Sequence, residues 1–292
     1  MSKGIVACIG SRETPPAILK LMERMGAELV RRGFIIRSGN AKGADQAFAR
    51  GANTVDPSKV ELFLPNQGYE QQAIHPNNRI TFGLGEWAYA MAATYHPAWE
   101  RCNDVTRHLH ARNSAIIMGA DGQAPATRVV CWTKDASAQG GTGQGIRIAR
   151  AKQVPVHDMG DRTMERKVCQ AMGLKPTTRV LNVHKLADGW QKDPNCVFIM
   201  RRRDLKWGDH VFLPSQGRFG NPFVIGKDGD RADVINQFKA WLPKWLADLY
   251  TVDPKIRDRE VEAIRNLQGK DLVCCCAPQA CHGDVLAYVA SE

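Results

Sequence analysis

The chain has 292 residues, 43% of them apolar, which is enough to bury one large hydrophobic core or two smaller ones. No uncharged apolar stretch approaches the ~20 residues that span a bilayer, and the first residues carry no signal-peptide core. Nine cysteines, an odd number, do not suit a secreted disulfide framework. These features exclude a membrane-spanning or disulfide-stapled class, and we expect a cytoplasmic protein.

Positive charge exceeds negative charge, because 40 lysines and arginines face 30 aspartates and glutamates, for a net charge of +10. The excess is spread over the chain, and the one basic run, Arg201-Arg202-Arg203, follows an apolar segment. Small phosphorylated ligands account for such a surplus as well as nucleic acid does. Nucleic acid is therefore an alternative partner that the charge distribution does not favour.

Three short apolar runs in the first half are each followed by glycine and small polar or charged residues. The three glycine segments are Gly10-Ser11-Arg12, Ser38-Gly39-Asn40-Ala41-Lys42-Gly43-Ala44-Asp45 and Gly140-Gly141-Thr142-Gly143. In an open α/β sheet such segments gather at the carboxyl ends of parallel strands, where backbone amides and helix N-termini bind anions. The first half therefore predicts a phosphate or nucleotide pocket.

The first helix is predicted to begin at Thr14 as N-cap, with Pro15 and Pro16 in its first turn, and to stop at Gly33. Flanked by two apolar runs, it predicts a βαβ unit. Further strands are predicted over residues 60–64, 128–133 and 154–156, with a helix over 146–152. The fold class that follows is α/β, a Rossmann-like parallel sheet followed by a second, smaller α/β domain.

A helical pattern that ends at Gly173 and Pro176 places the domain boundary near residue 175. We expect a nucleotide-binding domain over residues 1–175 and a small α/β domain over 176–292. The second domain contains a Gly220-Asn221-Pro222-Phe223 loop, an amphipathic helix, a strand over residues 272–276 and a closing helix.

Four ordered motifs of the first half, the three glycine segments and the Arg112-Asn113 pair, resemble those of the SLOG superfamily. This Rossmann-like group includes the DNA-processing protein A fold, the YspA-like proteins and the lonely-guy phosphoribohydrolases. The resemblance implies that the loops bind a nucleotide or nucleoside phosphate, with Arg12 and Arg112 as charge-assisted phosphate ligands. The implied ligand-binding residues are Gly10, Ser11, Arg12, Ser38, Gly39, Lys42, Gly43, Arg112, Asn113, Gly140, Gly141 and Thr142.

One feature of the phosphoribohydrolases is missing, because their glycine loop is followed by a catalytic glutamate and residues 143–147 supply no carboxylate. Asp45 is the nearest substitute. An aspartate at a helix start is equally a partner for the helix dipole, so both roles stay open.

The second domain resembles a small uncharacterised domain of phage and bacterial proteins. The resemblance rests on the Gly220–Phe223 loop, on Arg231, and on an ending in which a Cys-Cys-Cys strand precedes Cys281-His282. The resemblance supplies no chemistry, so the residues themselves must indicate it.

The terminal cysteine cluster allows three interpretations. Cys274, Cys276, Cys281 and His282 carry the ligand types that zinc prefers, although their spacing is not that of a common zinc knuckle. Alternatively, the helix dipole and His282 lower the pKa of Cys281 and make it nucleophilic. In the third interpretation the cysteines are apolar core residues.

Our leading functional hypothesis is a nucleotide-processing protein that binds a phosphorylated nucleoside or an NAD-like compound and cleaves or transfers at an N-glycosidic bond. Its candidate catalytic residues are Asp45, Asn221, Arg231, Cys281 and His282. The alternatives are a non-catalytic sensor or sequestering protein for a nucleotide signal in phage-bacterial conflict, and a single-stranded DNA-binding protein. The expected partner is a nucleotide or nucleoside phosphate, with no membrane, a homo-oligomeric assembly, and zinc as the single candidate cofactor.

Overall fold

The computed structural model describes residues 3–200, 205–207, 210–212 and 218–291, with backbone alone for the two short segments. The chain divides into two compact units, Met1–Lys175 and Pro176–Glu292, here called the N-terminal unit and the C-terminal unit. None of the described helices is long and apolar enough to cross a membrane. The predicted fold class, a Rossmann-like parallel sheet followed by a smaller α/β domain, is confirmed.

The N-terminal unit is built on a six-stranded sheet in which every neighbouring pair is parallel. Its strands are β1 (Ile5–Cys8), β2 (Ile35–Ser38), β3 (Val60–Phe63), β4 (Arg79–Thr81), β5 (Arg128–Cys131) and β6 (Val156–Asp158), in the order β4-β3-β2-β1-β5-β6. Its helices are α1 (Pro16–Arg31), α2 (Ala44–Asn53), α3 (Glu86–Tyr95), α4 (Asp104–Met118), α5 (Gly140–Ala151) and α6 (Arg162–Met172). The chain order reverses between β1 and β5, which makes their carboxyl ends the topological switch point of the sheet.

Helices cover both faces of this sheet, so its central strands are mostly buried, and β1 is apolar along its whole length. Val6 and Cys8 of β1 pack in a core with α1, α2 and α6, whereas Ala7 packs with α4 and α5 on the other face. Helices α1 and α2 approach closely because each has a glycine at the contact. A Cβ at Gly26 would overlap the carbonyl oxygen of Phe48, and one at Gly51 would overlap that of Glu23.

The C-terminal unit has a smaller parallel sheet in the order β7-β11-β8. Its strands are β7 (Arg179–Asn182), β8 (Cys196–Phe198) and β11 (Asp271–Cys274), with an antiparallel hairpin of β9 (Leu205–Trp207) and β10 (His210–Phe212). Its helices are α7 (Arg231–Val252), α8 (Pro254–Arg265) and α9 (His282–Val289). The core of this unit contains Phe238 and Leu242 of α7, Ile264 of α8 and Leu286 of α9.

Three local predictions were wrong. Thr14 is not the N-cap of α1, because that position is Pro15 and the Thr14 hydroxyl donates to Ser11 O. The third glycine segment is not a loop ahead of a helix but the first turn of α5 itself. Strand β11 stops at Cys274, so Cys276 lies beyond the strand.

Candidate functional site

A cavity of about 520 Å³ opens at the carboxyl ends of β1 and β5, at the topological switch point. Its walls come from the segments after β1 and β5, from the inner side of α4 and from the first turn of α5. The predicted residues that line it are Gly10, Ser11, Arg12, Asp45, Arg112, Asn113, Gly140, Gly141 and Thr142. Ser38, Gly39, Lys42 and Gly43 are not among the lining residues.

The second glycine segment, residues 38–45, supports the cavity through contacts with β1 and with Arg112. The Ser38 hydroxyl donates to Cys8 O at 2.6 Å and ties β2 to β1, and exposed Lys42 pairs with Glu70 at 3.6 Å. Gly39 is required by close approach, because a Cβ there would lie 2.6 Å from Arg112 Cζ. Gly43 has a φ of +90°, which favours glycine. These four residues are therefore structural supports rather than cavity wall.

Arg112 is buried on α4 and uses most of its guanidinium within the protein. Its Nη1 donates to Gly39 O at 2.9 Å, its Nη2 donates to Asn113 Oδ1 at 3.1 Å, and its charge lies 5.6 Å from the Tyr69 ring centroid. Its Nε has no hydrogen-bond partner in the described part of the chain. Arg112 thus holds the second glycine segment in place and also lines the cavity.

Asp45 lies at the bottom of the cavity and is 3% exposed. Its Oδ2 accepts a hydrogen bond from Ala41 N at 3.2 Å. Burial raises the pKa of the Asp45 carboxyl, while the Arg112 charge and backbone amides, including those of Gly39 and Gly10, oppose the shift. The carboxyl is consequently easier to protonate than an exposed aspartate, which reduces its repulsion of an anion.

The first turn of α5 presents an open helix N-terminus to the cavity. Its N-cap, Gln139, makes no side-chain capping bond, and the first turn contains no acidic residue. Asn113 Nδ2 holds this turn by donating to Gly141 O at 3.1 Å. Uncapped amides and the positive end of the helix dipole attract anions.

Cations stand at the mouth of the cavity. Arg12 and Lys134 are both exposed, and neither side chain has a hydrogen bond or ion pair within the described residues. Two free cations beside an open helix N-terminus make the cavity electropositive. The arrangement suits a phosphate group.

Three residues that line the cavity, Thr133, Lys134 and His110, were not predicted from the sequence. Thr133 N donates to Asp158 Oδ1 at 2.8 Å, which fixes the segment after β5. His110 Nδ1 lies 3.2 Å from Gln144 Oε1, and burial lowers the pKa of His110. A polar pair directly after a buried run, Thr133-Lys134, was the available signal for the first two.

A second cavity, of about 280 Å³, lies in the C-terminal unit and is lined by the four remaining catalytic candidates, Asn221, Arg231, Cys281 and His282. Asn221 is fully engaged, since its Nδ2 donates to Val234 O at 3.1 Å and its Oδ1 accepts from Phe223 N at 2.9 Å. Arg231 Nη1 donates to Ala280 O at 3.3 Å. The candidates therefore form two groups, with Asp45 in the cavity of the N-terminal unit.

The thiols beside this cavity do not have the expected electrostatics. Hydrogen bonds with Cys274 and Cys276, together with burial, raise the pKa of the Cys281 thiol, so the lowered pKa expected at the helix N-terminus is wrong. Hydrogen bonds from Cys274, Cys281 and Arg231 instead lower the pKa of Cys276.

Residues 1–93 match the family model of the DNA recombination-mediator protein A, and residues 182–292 match a domain of unknown function, DUF4326. Both resemblances are thereby confirmed.

One similar solved structure is that of DNA processing protein A from Helicobacter pylori, described by its single-stranded DNA binding mode. It is 21% identical, with a TM-score of 0.38, and the alignment covers 54% of this chain and 65% of that one, so this chain spans less than two thirds of its length. A search of the curated proteins found no match.

These comparisons correct the expected partner. A nucleotide ligand was preferred to nucleic acid, and that preference was wrong, because residues 1–93 match a DNA recombination-mediator family. The basic run Arg201-Arg202-Arg203 lies outside the described residues. N-glycosidic chemistry, a phage context, an oligomer, a cytoplasmic location and zinc stay predictions.

Proposed function

We propose that the N-terminal unit binds single-stranded DNA, with one backbone phosphate in the cavity between β1 and β5. The observation that carries the proposal is the open N-terminus of α5 at the topological switch point, beside Arg12 and Lys134. The match of residues 1–93 to a DNA recombination-mediator family supports DNA as the source of that phosphate.

The phosphate has donors of three kinds in this cavity. Backbone amides of the first turn of α5 supply uncharged hydrogen bonds, and Arg12 supplies a charged one. The Nε of Arg112 is a buried donor without a partner in the described structure, and such a donor is costly until an acceptor reaches it. Their convergence favours an anion over a neutral ligand.

A single strand fits the surroundings better than a duplex because an aromatic ring is exposed on the same edge of the sheet. Phe82 directly follows β4 and is 39% exposed. Three strand spacings separate β4 from β1, which is roughly 14 Å at about 4.8 Å per strand. A strand with its phosphate in the cavity has unpaired bases to stack on such a ring, whereas duplex bases are already stacked.

Fluorescence anisotropy with a labelled oligo-dT tests the proposal. We expect Arg12→Ala to weaken binding about 10-fold or more, since a hydrogen bond to a charged group contributes about 1.5–3 kcal/mol. Lys3→Ala is the matched control, because Lys3 is an exposed cation at the opposite end of β1. Equal losses in both variants would show a diffuse charge effect and contradict the proposal.

Salt dependence gives a second measure from the same titrations. For single strands the slope of log K against log salt concentration is about −0.7 per phosphate contact. Arg12→Ala should therefore reduce the magnitude of the slope by about 0.7, and Phe82→Ala should weaken binding with the slope unchanged. An unchanged slope in Arg12→Ala would contradict the placement of a phosphate in this cavity.

A further inference from the structure

Four metal-ligand side chains meet in the C-terminal unit where β11 ends and α9 begins. Cys274, Cys281 and His282 are all buried, and their ligand atoms lie within 4.8 Å of one another. The Cys274 Sγ lies 3.8 Å from the Cys276 Sγ. The Cys281 Sγ lies 3.5 Å from the His282 Nδ1.

These two distances match those between neighbouring ligands of a tetrahedral zinc ion. With Zn–S bonds of about 2.3 Å and Zn–N bonds of about 2.0–2.1 Å, a tetrahedral angle separates two sulfurs by about 3.8 Å and a sulfur from a nitrogen by about 3.6 Å. Cys274, Cys281 and His282 are therefore close enough to share one ion, and Cys276 Sγ lies at coordinating distance from Cys274 Sγ. Soft sulfur and nitrogen donors favour zinc over calcium or magnesium.

The imidazole of His282 is oriented as a metal ligand would be. Its Nε2 donates to Ile199 O at 2.9 Å, which leaves the lone pair on Nδ1, the atom beside Cys281 Sγ. A backbone carbonyl commonly fixes the tautomer and ring orientation of a zinc-bound histidine in this way. The Phe238 ring packs edge-on against the imidazole, with 5.3 Å between centroids, and restricts it further.

We propose that Cys274, Cys276, Cys281 and His282 bind one Zn²⁺ ion in the C-terminal unit. Each thiol loses its proton to solvent as its sulfur binds, so three thiolates and one divalent ion leave a net charge of −1. Arg231, whose side chain contacts Cys276, offsets that charge. The ion joins the end of β11 to the start of α9 and thereby closes the core of the DUF4326 domain.

Metal analysis of the full-length protein, purified without a metal-affinity step, tests the proposal. We expect about one zinc per chain by elemental analysis and native mass spectrometry, and none in Cys281→Ser. Cys275→Ser is the matched control, since Cys275 is exposed and adjacent in sequence. Cys102→Ser is a second control, because His96, Cys102 and His110 form another close group of ligand types in the N-terminal unit.

Cobalt substitution keeps the test decisive if Cys281→Ser does not fold. Co²⁺ added to the metal-free protein should give the visible absorption of a tetrahedral thiolate site. The variant Cys276→Ser, at a half-buried residue, should change that absorption. Folded wild-type protein with neither zinc nor a cobalt spectrum would overturn the proposal. Loss of the metal in Cys102→Ser with retention in Cys276→Ser would overturn it as well.

Discussion

The two units place opposite kinds of helix start beside their parallel sheets. In the N-terminal unit, α5 begins without a capping side chain and without an acidic residue. In the C-terminal unit, α9 begins with a capping box, in which Cys281 Sγ accepts from Gly283 N at 3.4 Å and Asp284 Oδ2 accepts from Cys281 N at 2.8 Å. The same position in the architecture is therefore open to an anion in one unit and closed in the other.

Metal removal should produce the largest difference in stability between the two units. A chelator that strips zinc from the holoprotein should destabilise residues 176–292, because structural zinc contributes its binding free energy to folding, whereas residues 3–175 keep their stability. Hydrogen exchange read by mass spectrometry gives the protection of each unit separately. Equal loss of protection in both units would contradict a zinc site that stabilises the C-terminal unit alone.

The close contact of α1 and α2 should make the N-terminal unit sensitive at Gly51. We expect Gly51→Ala to cost about 3 kcal/mol, at the upper end for overpacking, because its Cβ would overlap the Glu23 carbonyl oxygen. Gly141→Ala is the matched control, since the nearest atom to its Cβ would be Asn113 Nδ2 at 3.8 Å. Denaturant unfolding measures both, and similar costs would contradict the contact.

An acidic residue at the start of α5 should convert the open helix end into a closed one. Gly141→Asp has space for its side chain and should raise stability by about 0.3–1 kcal/mol through the helix dipole, while it weakens binding of oligo-dT about 10-fold or more. Thermal unfolding and anisotropy on the same sample check the two effects. Undiminished binding would show that the α5 start does not hold the phosphate.

The reverse change in the C-terminal unit should lower stability. Asp284→Asn weakens the charged half of the capping box and should cost about 1 kcal/mol, with DNA binding unchanged. Denaturant unfolding followed in residues 176–292 measures the loss. A loss of DNA binding would contradict the assignment of the DNA site to the N-terminal unit.

The smallest effect concerns pH. Because the pKa of Asp45 is raised by burial, its carboxyl gains a proton as the pH falls, repulsion of the phosphate decreases, and DNA affinity rises. Arg112 and the Cys8 thiol also face this carboxyl, and Arg112 limits the effect to a few-fold. Anisotropy against pH should show a shallower rise in Asp45→Asn, and parallel curves would contradict it.

The parallel sheet was predictable because β1, β2 and β5 each contain a short apolar run, and glycine follows closely after β1 and β2. The order of the strands was not predictable, since it depends on packing between distant segments. The topological switch point cannot be located without that order. Helix α4 also escaped sequence analysis. Its apolar pattern is broken by His110, Arg112 and Ser114, which are buried all the same because each has a polar partner.

The residues of the candidate site were only partly predictable, and for a physical reason. Glycine and arginine in the three segments carry a sequence pattern, so Gly10, Arg12 and Gly140 could be named in advance. The sequence does not show whether a helix begins before or inside a glycine segment. The N-terminus of α5 is uncapped because the helix begins inside the segment, at Gly140. The distance between Cys281 and His282 likewise depends on the side-chain rotamers at the start of α9.

Two neighbouring residues of α4, Arg112 and Asn113, determine the shape of the cavity at the switch point. Arg112 holds the carbonyl of Gly39, and Asn113 holds the carbonyl of Gly141, so a single helical turn acts as a template for two segments that are 102 residues apart, from 39 to 141. The exposed residues of those segments can consequently change without a change in the shape of the cavity, as long as the Arg-Asn pair stays. Substitutions at the exposed residues around the cavity, with α4 unchanged, should therefore alter which ligand binds while the shape of the cavity is kept.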